Sequence, residues 1–188
     1  MIVQAHPSAT VSADAVIGVG TRVWHEAQVC SGAKIGRDCT LGKGVYIDRD
    51  VVIGDRVKLQ NGVSIFRGAT VGSGVFVGPH TALLNDRLPR AVNPDGTLKR
   101  TGDWAVAGVT IDDGASIGGG CLVLPGVHVG RWALVGAGSV VTRDVPPHGL
   151  AFGNPAKLRG YICECAEILL PDGTCSACRA AHQLDTTS

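Results

Sequence analysis

The chain is poor in aromatic residues and carries almost no net charge. Phe, Trp and Tyr make up 4% of its 188 residues, and the formal net charge is +1 at pH 7. No basic patch of the kind that nucleic acids require stands out, and no uninterrupted apolar stretch reaches the ~18 residues of a membrane span. These absences argue against nucleic-acid and membrane partners. The scarcity of rings suits a narrow interior filled by Val, Ile and Leu.

The N-terminus also lacks the features of a secretory signal. Residues 1–7 contain neither the basic region nor the apolar core of a signal peptide, so we expect a cytoplasmic protein. The length suffices for one domain and a small appendage. We expect a domain over residues 1–160 and a separate C-terminal tail over residues 161–188.

An aliphatic residue recurs at every sixth position over most of the chain. The residue two positions earlier is small or β-branched, and the residue that follows is often glycine. Thirteen aliphatic positions follow one another without a gap, and six more resume the spacing further on: Val11, Ile17, Val23, Val29, Ile35, Leu41, Ile47, Ile53, Leu59, Ile65, Val71, Val77, Leu83, and then Ile111, Ile117, Val123, Val129, Val135, Val141.

A period of six fits neither an α-helix nor a simple alternating strand. It fits a solenoid in which each hexapeptide makes one short strand and one turn, and three faces close one coil of a triangular prism. The aliphatic residue then points inward, and the small residue leaves room for it. The glycine that follows is expected to supply a positive φ at the corner. We predict about six coils, roughly 30 Å tall at a strand spacing of ~4.8 Å.

The repeat stops after Leu83 and resumes at Ile111 in a shifted register. The intervening segment, about residues 84–108, is therefore an inserted loop. Loops longer than ~12–15 residues are usually functional or disordered, and a loop that leaves a rigid solenoid is a natural place for a substrate site.

Four of the seven cysteines form two close pairs near the C-terminus. One residue separates Cys163 from Cys165, two residues separate Cys175 from Cys178, and nine residues lie between the pairs. In a cytosolic protein such pairs favour a structural zinc site with four thiolate ligands, as in a zinc ribbon, over disulfides. Redox-active or free thiols are the alternatives, and His182 could replace one ligand.

The other cysteines lie inside the repeat. Cys39 and Cys121 occupy the small position two before the aliphatic residue, and Cys30 follows Val29 at a corner. We expect all three to be buried small residues. Two histidines near the end of the repeat, His128 and His148, are expected to be solvated turn residues.

Two short motifs mark the end of the repeat: residues 136–142, within the last hexads, read GAGSVVT, and residues 153–157, after them, read GNPAK. Together with the hexads, they make residues 6–160 resemble the hexapeptide-repeat acyltransferases that use acyl-CoA. The resemblance implies an all-β fold, a left-handed parallel β-helix, although general crossover rules favour right-handed connections. It also implies acetyl-CoA as co-substrate and a homotrimer with each active site between neighbouring prisms.

Three further segments are similar to the nucleotide-sugar N-acetyltransferases: residues 23–25 (VWH), residues 59–61 (LQN), and Asn85 followed by residues 89–91 (PRA). One such group acetylates the 3-amino group of UDP-linked 2-acetamido-3-amino-2,3-dideoxyglucuronate. The resemblance implies an N-acyltransferase for a nucleotide-linked amino sugar. The loop over residues 92–104 and the cysteine tail depart from that group and leave the exact sugar open.

Acetylation of an amine needs a neutral amine that attacks the thioester carbonyl, a stabilised oxyanion and an acceptor for the proton. Asn85 is the candidate for orienting the amine, as the resemblance implies, and an Asn that starts a turn is the alternative. His80 is the candidate base, because a neutral imidazole can take a proton near pH 7. Proton loss to solvent, with His80 as a surface turn residue, is the competing hypothesis.

The remaining acceptor-side candidates are His25, Gln60, Asn61 and Arg90. Gln60 and Asn61 are expected to bind the sugar-nucleotide substrate, and His25 to line the same site or to pack beside Trp24. Arg90 suits a diphosphate because a guanidinium binds phosphate oxygens bidentately; a solvated loop charge is the alternative.

The cofactor candidates lie near the end of the repeat. Lys157 and Arg159 suit the phosphates of CoA, and the resemblance places the pantetheine arm along the backbone of Gly136, Ala137 and Gly138.

Two other classes of protein are weighed against the transferase. A γ-type carbonic anhydrase needs three zinc-binding histidines, two of them five residues apart, and no two of the six histidines here have that spacing. A non-catalytic scaffold that binds a partner through the loop or the tail has no need of motifs for CoA. Transfer to a different small amine or to a hydroxyl is a further alternative.

Overall fold

The computed structural model describes residues 3–184, which contain 22 β-strands and no α-helix. The last four residues of the predicted tail lie outside this range. The strands are β1 Gln4–Ala5, β2 Thr10–Val11, β3 Val16–Ile17, β4 Arg22–Val23, β5 Gln28–Val29, β6 Lys34–Ile35, β7 Thr40–Leu41, β8 Tyr46–Ile47, β9 Val52–Ile53, β10 Lys58–Leu59, β11 Ser64–Ile65, β12 Thr70–Val71, β13 Phe76–Val77, β14 Ala82–Leu83, β15 Thr110–Ile111, β16 Ser116–Ile117, β17 Leu122–Val123, β18 His128–Val129, β19 Leu134–Val135, β20 Val140–Val141, β21 Gly149–Gly153 and β22 Ala156–Tyr161.

The strands form three sheets, the faces of a prism. Sheet 1 has the order β1-β4-β7-β10-β13-β16-β19-β21-β22, sheet 2 the order β2-β5-β8-β11-β14-β17-β20, and sheet 3 the order β3-β6-β9-β12-β15-β18. Every strand before β22 pairs in parallel with the strand one turn away, as Arg22 does with Thr40. Only β22 runs antiparallel, against β21. The predicted all-β parallel β-helix is confirmed.

The solenoid is taller than the sequence predicted. Seven complete turns and the first strand of an eighth lie within residues 3–184, against about six predicted coils. The additional strands are β1 and β21, and neither carries the six-residue aliphatic spacing. They are formed because each pairs through its backbone with a regular strand, β4 and β19 respectively.

The aliphatic residues of the repeat fill the prism. Leu41, Ile47, Leu59, Ile65 and Leu83 have no exposed surface, as the six-residue period predicts. The small positions are buried too, including Cys39 and Cys121. Burying a side chain of this size removes apolar surface worth about 1.5–3 kcal/mol, so this column is the main source of stability.

Burial weakens at the edges of the column. At the N-terminal end Val11 is 36% exposed, since no further coil covers it among the described residues. Cys30 is half-buried at a corner, so its predicted burial was wrong: a residue directly after the inward aliphatic position already lies in the turn.

The glycines that follow the aliphatic residues do not supply the positive φ that we predicted. Positive φ occurs two positions later in the turn, at Gly20, Gly62 and also at non-glycine residues such as His80 (φ 57°). The first glycine is needed instead for close approach between turns. A Cβ on Gly36 would lie 2.5 Å from the carbonyl carbon of Gly54 in the next turn.

Replacing Gly36 with alanine is therefore expected to lower the free energy of unfolding by about 1–3 kcal/mol, because the new methyl group meets rigid backbone. Gly119→Ala is the milder, matched control, since its Cβ would come no closer than 3.1 Å to the ring and 3.2 Å to the carbonyl oxygen of Pro79. Urea unfolding of both variants measures the difference. Equal midpoints would contradict the close-approach argument.

Three edges run along the prism, where one sheet passes to the next. The first edge, between sheets 1 and 2, comprises residues 6–9, 24–27, 42–45, 60–63, 78–81, 118–121 and 136–139. The second edge, between sheets 2 and 3, comprises residues 12–15, 30–33, 48–51, 66–69, 84–109, 124–127 and 142–145. The third edge, between sheets 3 and 1, comprises residues 18–21, 36–39, 54–57, 72–75, 112–115, 130–133 and 146–148.

The inserted loop leaves the second edge without disturbing the solenoid. It lies between β14 and β15, and β15 resumes regular pairing with β12 through Thr70 and Thr110. Inside the loop, Val92 and Leu98 form an antiparallel bridge. The prediction of an insertion over residues 84–108 is confirmed.

The cysteine-rich tail follows β22 and has a small core of its own. Cys163, Leu169 and Cys175 are buried there, with Tyr161 and Ala180 packed against them. The assignment of residues 161–188 to a separate unit stays a prediction. No helix with the length and apolar character of a membrane span occurs in residues 3–184.

Candidate active site

The first edge carries most of the predicted substrate-binding and CoA-binding residues, in a row parallel to the prism axis. A backbone N–H of each turn donates to a carbonyl oxygen one turn away: Gly62 to Lys43, His80 to Asn61, Gly120 to Pro79, and Gly138 to Gly119. These bonds hold the corners in register. His80 therefore lies two turns from Gly138, about 10 Å at the spacing of parallel strands.

His25 lies low on this edge in a small group of rings. Its ring centroid is 3.7 Å from that of His6 and 6.1 Å from that of Trp24, which is 44% exposed. Flat, partly exposed rings of this kind can stack against a nucleobase or a sugar face.

Gln60 and Asn61 lie two turns further along the same edge. Gln60 is half-buried, and its backbone continues the pairing between turns. The side chain of Asn61 is used structurally, since its Oδ1 accepts a hydrogen bond from the backbone N–H of Lys43 at 2.9 Å. Its exposed position still leaves the amide nitrogen able to contact a ligand.

His80 is exposed at the corner of the next turn. Its ring lies over Gly62, where a Cβ would be 2.5 Å from Nδ1. Glycine at position 62 therefore makes room for the imidazole, which keeps it against the prism wall. Within residues 3–184 no carboxylate hydrogen-bonds the His80 imidazole and orients it.

The cofactor candidates converge at the C-terminal end of the prism. Gly136 has no room for a side chain, because a Cβ would lie 2.8 Å from Cβ of Phe152 on β21. The Ser139 hydroxyl donates to the Gly136 carbonyl at 2.6 Å and accepts from the Gly153 N–H at 3.1 Å. These bonds tie the GAGSVVT corner to the GNPAK turn.

Lys157 and Arg159 lie on β22 beside this corner. Lys157 pairs with Phe152 in the β21–β22 hairpin, and the guanidinium of Arg159 lies 5.6 Å from the centre of the Phe152 ring. Both basic side chains are exposed. The structure thus brings Gly136, Gly138, Lys157 and Arg159 to one end of the molecule, although they come from two separate stretches.

A cleft of about 510 Å³ borders the same hairpin, and Lys157 is among the residues that line it. Its lining residues are Val141, Thr142, Arg143, Asp144, Val145, Pro146, Ala151, Pro155, Ala156, Lys157 and Leu158.

Asn85 lies on the second edge, not beside His80. Its side-chain Nδ2 donates to the Arg67 carbonyl at 3.0 Å, and its own carbonyl accepts from the Ala107 N–H at 2.9 Å. These two bonds fix the beginning of the inserted loop to the prism. They leave Oδ1 of this half-buried side chain as the atom able to accept a hydrogen bond from an amine N–H.

A second cleft of about 640 Å³ is lined by Leu84 and Asp86, the chain neighbours of Asn85, but not by Asn85 itself. Arg90 does not line it; this exposed side chain donates to the Pro89 carbonyl at 3.0 Å. Arg87 and Arg143 do line the cleft. Sequence reasoning missed both, and only the packing of Arg87 against Gly126 distinguishes it from other loop charges.

Within one chain the candidates therefore form two groups. His25, Gln60, Asn61, His80 and the cofactor glycines follow the first edge. Asn85 and Arg90 lie on the second edge, with one strand of sheet 2 between the edges in each turn. A single prism does not bring Asn85 and His80 to the same reacting atom.

The predicted turn histidines have defined partners. His128 is in β18, and its Nε2 lies 2.8 Å from Oδ2 of Asp112. His148 is half-buried, and its ring packs 4.3 Å from that of His182. The expectation of solvated turn residues holds only in part: His128 is exposed but lies in a strand, and His148 lies in a turn but is half-buried because the tail packs against it.

The four cysteines of the tail converge. Their sulfur atoms all lie within 4.8 Å of one another. The Sγ atoms of Cys163 and Cys178 are 3.5 Å apart, as are those of Cys165 and Cys175. Zinc with four sulfurs at ~2.3 Å would separate them by roughly 3.8 Å, so the donor set fits a tetrahedral ion after a small adjustment.

Both cysteine pairs sit in tight turns that expose backbone N–H groups to sulfur. The residue directly after each pair has a positive φ, 69° at Ala166 and 61° at Arg179. The backbone N–H of Cys178 stabilises the Cys175 thiolate and lowers the pKa of Cys175 to about 6. The N–H of Cys165 acts likewise on Cys163, but desolvation and the neighbouring thiols outweigh it and raise its pKa to about 12.

Comparison with known protein families agrees with this architecture. A model described as bacterial transferase hexapeptide (six repeats) matches residues 32–67, and one described as hexapeptide repeat of succinyl-transferase matches residues 13–49 and 108–143. Both models match the six-residue repeats that the sequence and the structure show.

Individual relatives cover parts of the chain. A dTDP-3-amino-3,6-dideoxy-alpha-D-galactopyranose 3-N-acetyltransferase from Aneurinibacillus thermoaerophilus is 51% identical over 59 residues, 31% of each chain. Serine acetyltransferase 4 from Arabidopsis thaliana is 42% identical over 95 residues, 50% of this chain and 26% of its own. The chain thus spans less than a third of the length of these two relatives.

A solved structure matches over a longer range. PerB from Caulobacter crescentus, in complex with CoA and GDP-perosamine, is 26% identical with a TM-score of 0.51. The match covers 85% of this chain and 58% of that one.

Proposed function

We propose that this protein is an acetyl-CoA-dependent N-acyltransferase whose acceptor is the amino group of a nucleotide-linked amino sugar. The observation that carries the proposal is the 51% identity to an enzyme that acetylates the 3-amino group of a dTDP-linked sugar. The match to a structure in complex with CoA and GDP-perosamine supports the same pair of substrates. The UDP-linked glucuronate stays a prediction, as does the cytoplasmic location.

The reaction requires few side chains. The neutral amine nitrogen attacks the thioester carbonyl carbon, an oxyanion forms, and the C–S bond breaks as the CoA thiolate leaves. The nitrogen loses one proton, either to His80 or to solvent. Holding two substrates together can account for about 7–11 kcal/mol of the barrier, and backbone N–H groups of a corner can stabilise the oxyanion.

Acetyl-CoA is proposed to bind at the C-terminal end of the first edge. Its pantetheine arm would follow Gly136, Ala137 and Gly138, and its phosphates would meet Lys157 and Arg159. The open space above Gly138, where a Cβ would meet no atom within 4 Å, supports this path.

The acceptor is proposed to bind between two prisms, where the second edge of one chain faces the first edge of its neighbour. Asn85 would orient the amine through Oδ1, and Arg90, joined by Arg87, would contact the diphosphate. His25, Gln60 and Asn61 would contact the sugar or the nucleotide from the first edge.

This division of the site supports a homotrimer. If the second edge of one prism packs beside the first edge of the next, Asn85 of one chain completes the site of its neighbour. A closed ring of three chains then contains three equal sites. Sedimentation at micromolar concentration tests the assembly, and a stable monomer there would contradict it.

Steady-state assays with a panel of nucleotide-linked amino sugars are expected to release free CoA, detected with a thiol reagent. L-Serine serves as the competing acceptor, because serine acetyltransferase 4 is 42% identical over half of this chain. CoA release with serine and not with amino sugars would replace the proposed acceptor. Absence of CoA release with any acceptor, and of a thermal shift with acetyl-CoA, would favour the non-catalytic scaffold.

We also propose that Cys163, Cys165, Cys175 and Cys178 hold one structural zinc ion. The convergence of four sulfurs supports this, as do the two turns that aim N–H groups at sulfur. The ion would link the two halves of a tail whose own core contains few apolar side chains.

A further inference from the structure

A second group of potential metal ligands lies beside the cysteine cluster. His148, Glu164 and His182 each offer one ligand atom, and these atoms lie within 4.8 Å of one another. His148 lies at the last corner of the third edge, Glu164 lies between Cys163 and Cys165, and His182 follows the last cysteine of the tail. Folding alone brings them together, and the proposed transferase chemistry uses none of them.

The hydrogen bonds of His148 prepare it to bind a cation. Its Nδ1 lies 3.0 Å from the carbonyl oxygen of Ile162. Because a carbonyl oxygen only accepts, Nδ1 carries the proton and Nε2 keeps its lone pair. A histidine that donates its other N–H to a backbone carbonyl is the common arrangement among metal ligands. The Ile162 N–H in turn donates to the His148 carbonyl at 2.7 Å, which fixes the backbone of this residue.

His182 is oriented in the same way by the cysteine cluster. Its Nε2 lies 3.2 Å from Sγ of Cys163. When zinc occupies the cysteine cluster, the Cys163 sulfur is a thiolate that can only accept the hydrogen bond, so Nε2 donates and Nδ1 keeps its lone pair. The two imidazoles face each other with ring centroids 4.3 Å apart. Each imidazole therefore presents one nitrogen whose lone pair can bind a cation.

Charge favours a cation at this place. A zinc ion with four thiolates has a net charge of about −2, and the exposed carboxylate of Glu164 adds another negative charge. Both histidines are only half-buried, so an ion can enter from solvent. Two imidazoles and one carboxylate suit a zinc-like divalent ion, and with three protein ligands a coordination position stays open for water.

We infer that His148, Glu164 and His182 form a second, open site for a zinc-class divalent cation beside the cysteine cluster. The ion would join the last turn of the solenoid to both halves of the tail. The inference does not rest on the acyltransferase proposal, because metal content is measured without a substrate.

Cobalt(II) titration of the full chain tests the site. The wild-type protein is expected to bind about two ions, one with an intense thiolate charge-transfer band and one without. His148→Ala and Glu164→Gln are expected to bind about one, with the thiolate band unchanged. His128→Ala is the matched control, since that histidine pairs with Asp112 away from the tail, and it should still bind two.

The outcomes separate the alternatives. One ion in the wild type with the thiolate band present, or two ions retained in Glu164→Gln, would overturn the inference. If His148→Ala also loses the thiolate band, the tail has been disturbed, and Glu164→Gln decides because that side chain is exposed. Zinc loading followed by elemental analysis gives an independent count of the same ions.

Discussion

Replacing Asn85 with alanine is expected to lower kcat/KM for the amino-sugar acceptor by about 10- to 1000-fold, the range for loss of a positioning or oriented-dipole contact. Acetyl-CoA affinity should change little, because the proposed CoA residues lie at the end of the first edge and on β22, not on the second edge. The fold should survive, since the lost bond from Nδ2 to Arg67 contributes about 1 kcal/mol. Steady-state kinetics and thermal unfolding measure the two effects separately.

Asn93→Ala is the matched control for this variant. Asn93 lies in the same inserted loop and bonds to Thr97 at 3.2 Å, away from the start of the loop. Its replacement should leave kcat/KM near the wild-type value. A near-normal rate in Asn85→Ala, with the acceptor still acetylated on its amine, would place the active site elsewhere.

His80→Ala distinguishes a side-chain base from solvent. If solvent takes the proton, which we expect, this variant keeps most of its activity and the pH–rate inflection belongs to the substrate amine. If His80 is the base, activity falls as far as in Asn85→Ala, and an inflection near neutrality disappears. Within residues 3–184 no side chain hydrogen-bonds the exposed imidazole, which agrees with the first outcome.

Mixed trimers test whether each site uses two chains. Ala137→Trp is expected to block the CoA path at an exposed position of the first edge, and Asn85→Ala to impair the second edge. Randomly mixed trimers of the two inactive variants should regain about a quarter of wild-type activity, because each site takes one edge from each of two chains. No recovery in proven mixed trimers would mean that both residues act within one chain.

Removing one thiolate is expected to abolish tight zinc binding by the cysteine cluster. The reduced wild-type protein should keep about one zinc per chain after brief dialysis against EDTA, which would strip the open three-ligand site first. Cys175→Ser should keep none, whereas Cys30→Ser, a control at a corner of the solenoid, should keep the ion. Loss of the ion should unfold the tail and leave the prism folded, because their buried clusters are separate.

Zinc binding by this cluster should strengthen as pH rises. Cys175, with its pKa lowered to about 6 by the N–H of Cys178, is already a thiolate at pH 7. Cys163, with its pKa raised to about 12, must release its proton when zinc binds. The apparent affinity therefore increases with pH and falls further below about pH 6, where Cys175 also takes a proton. A pH-independent affinity, or a wild-type protein without zinc after expression with ample metal, would contradict the site.

The sequence by itself determined the solenoid, its core and its interruption. A period of six specifies one strand and one turn per hexad, and burial of residues such as Leu59 and Ile65 follows from that period alone. The break between Leu83 and Ile111 located the insertion for the same reason, since a loop interrupts the spacing without changing the inward positions. The convergence of the four cysteines was also predictable, because close pairs across a short turn have few other arrangements.

Only the tertiary structure decided which edge each polar residue occupies. Asn85 and His80 are five residues apart in sequence, yet one strand of sheet 2 carries the chain from the first edge to the second between them. The glycine roles also depended on neighbouring turns, because the close contact of Gly36 is with Gly54, 18 residues away. Likewise His148 and His182 meet because the tail folds back onto the last corner. A local pattern specifies the conformation of each turn, whereas such contacts depend on how the turns stack and where the chain returns.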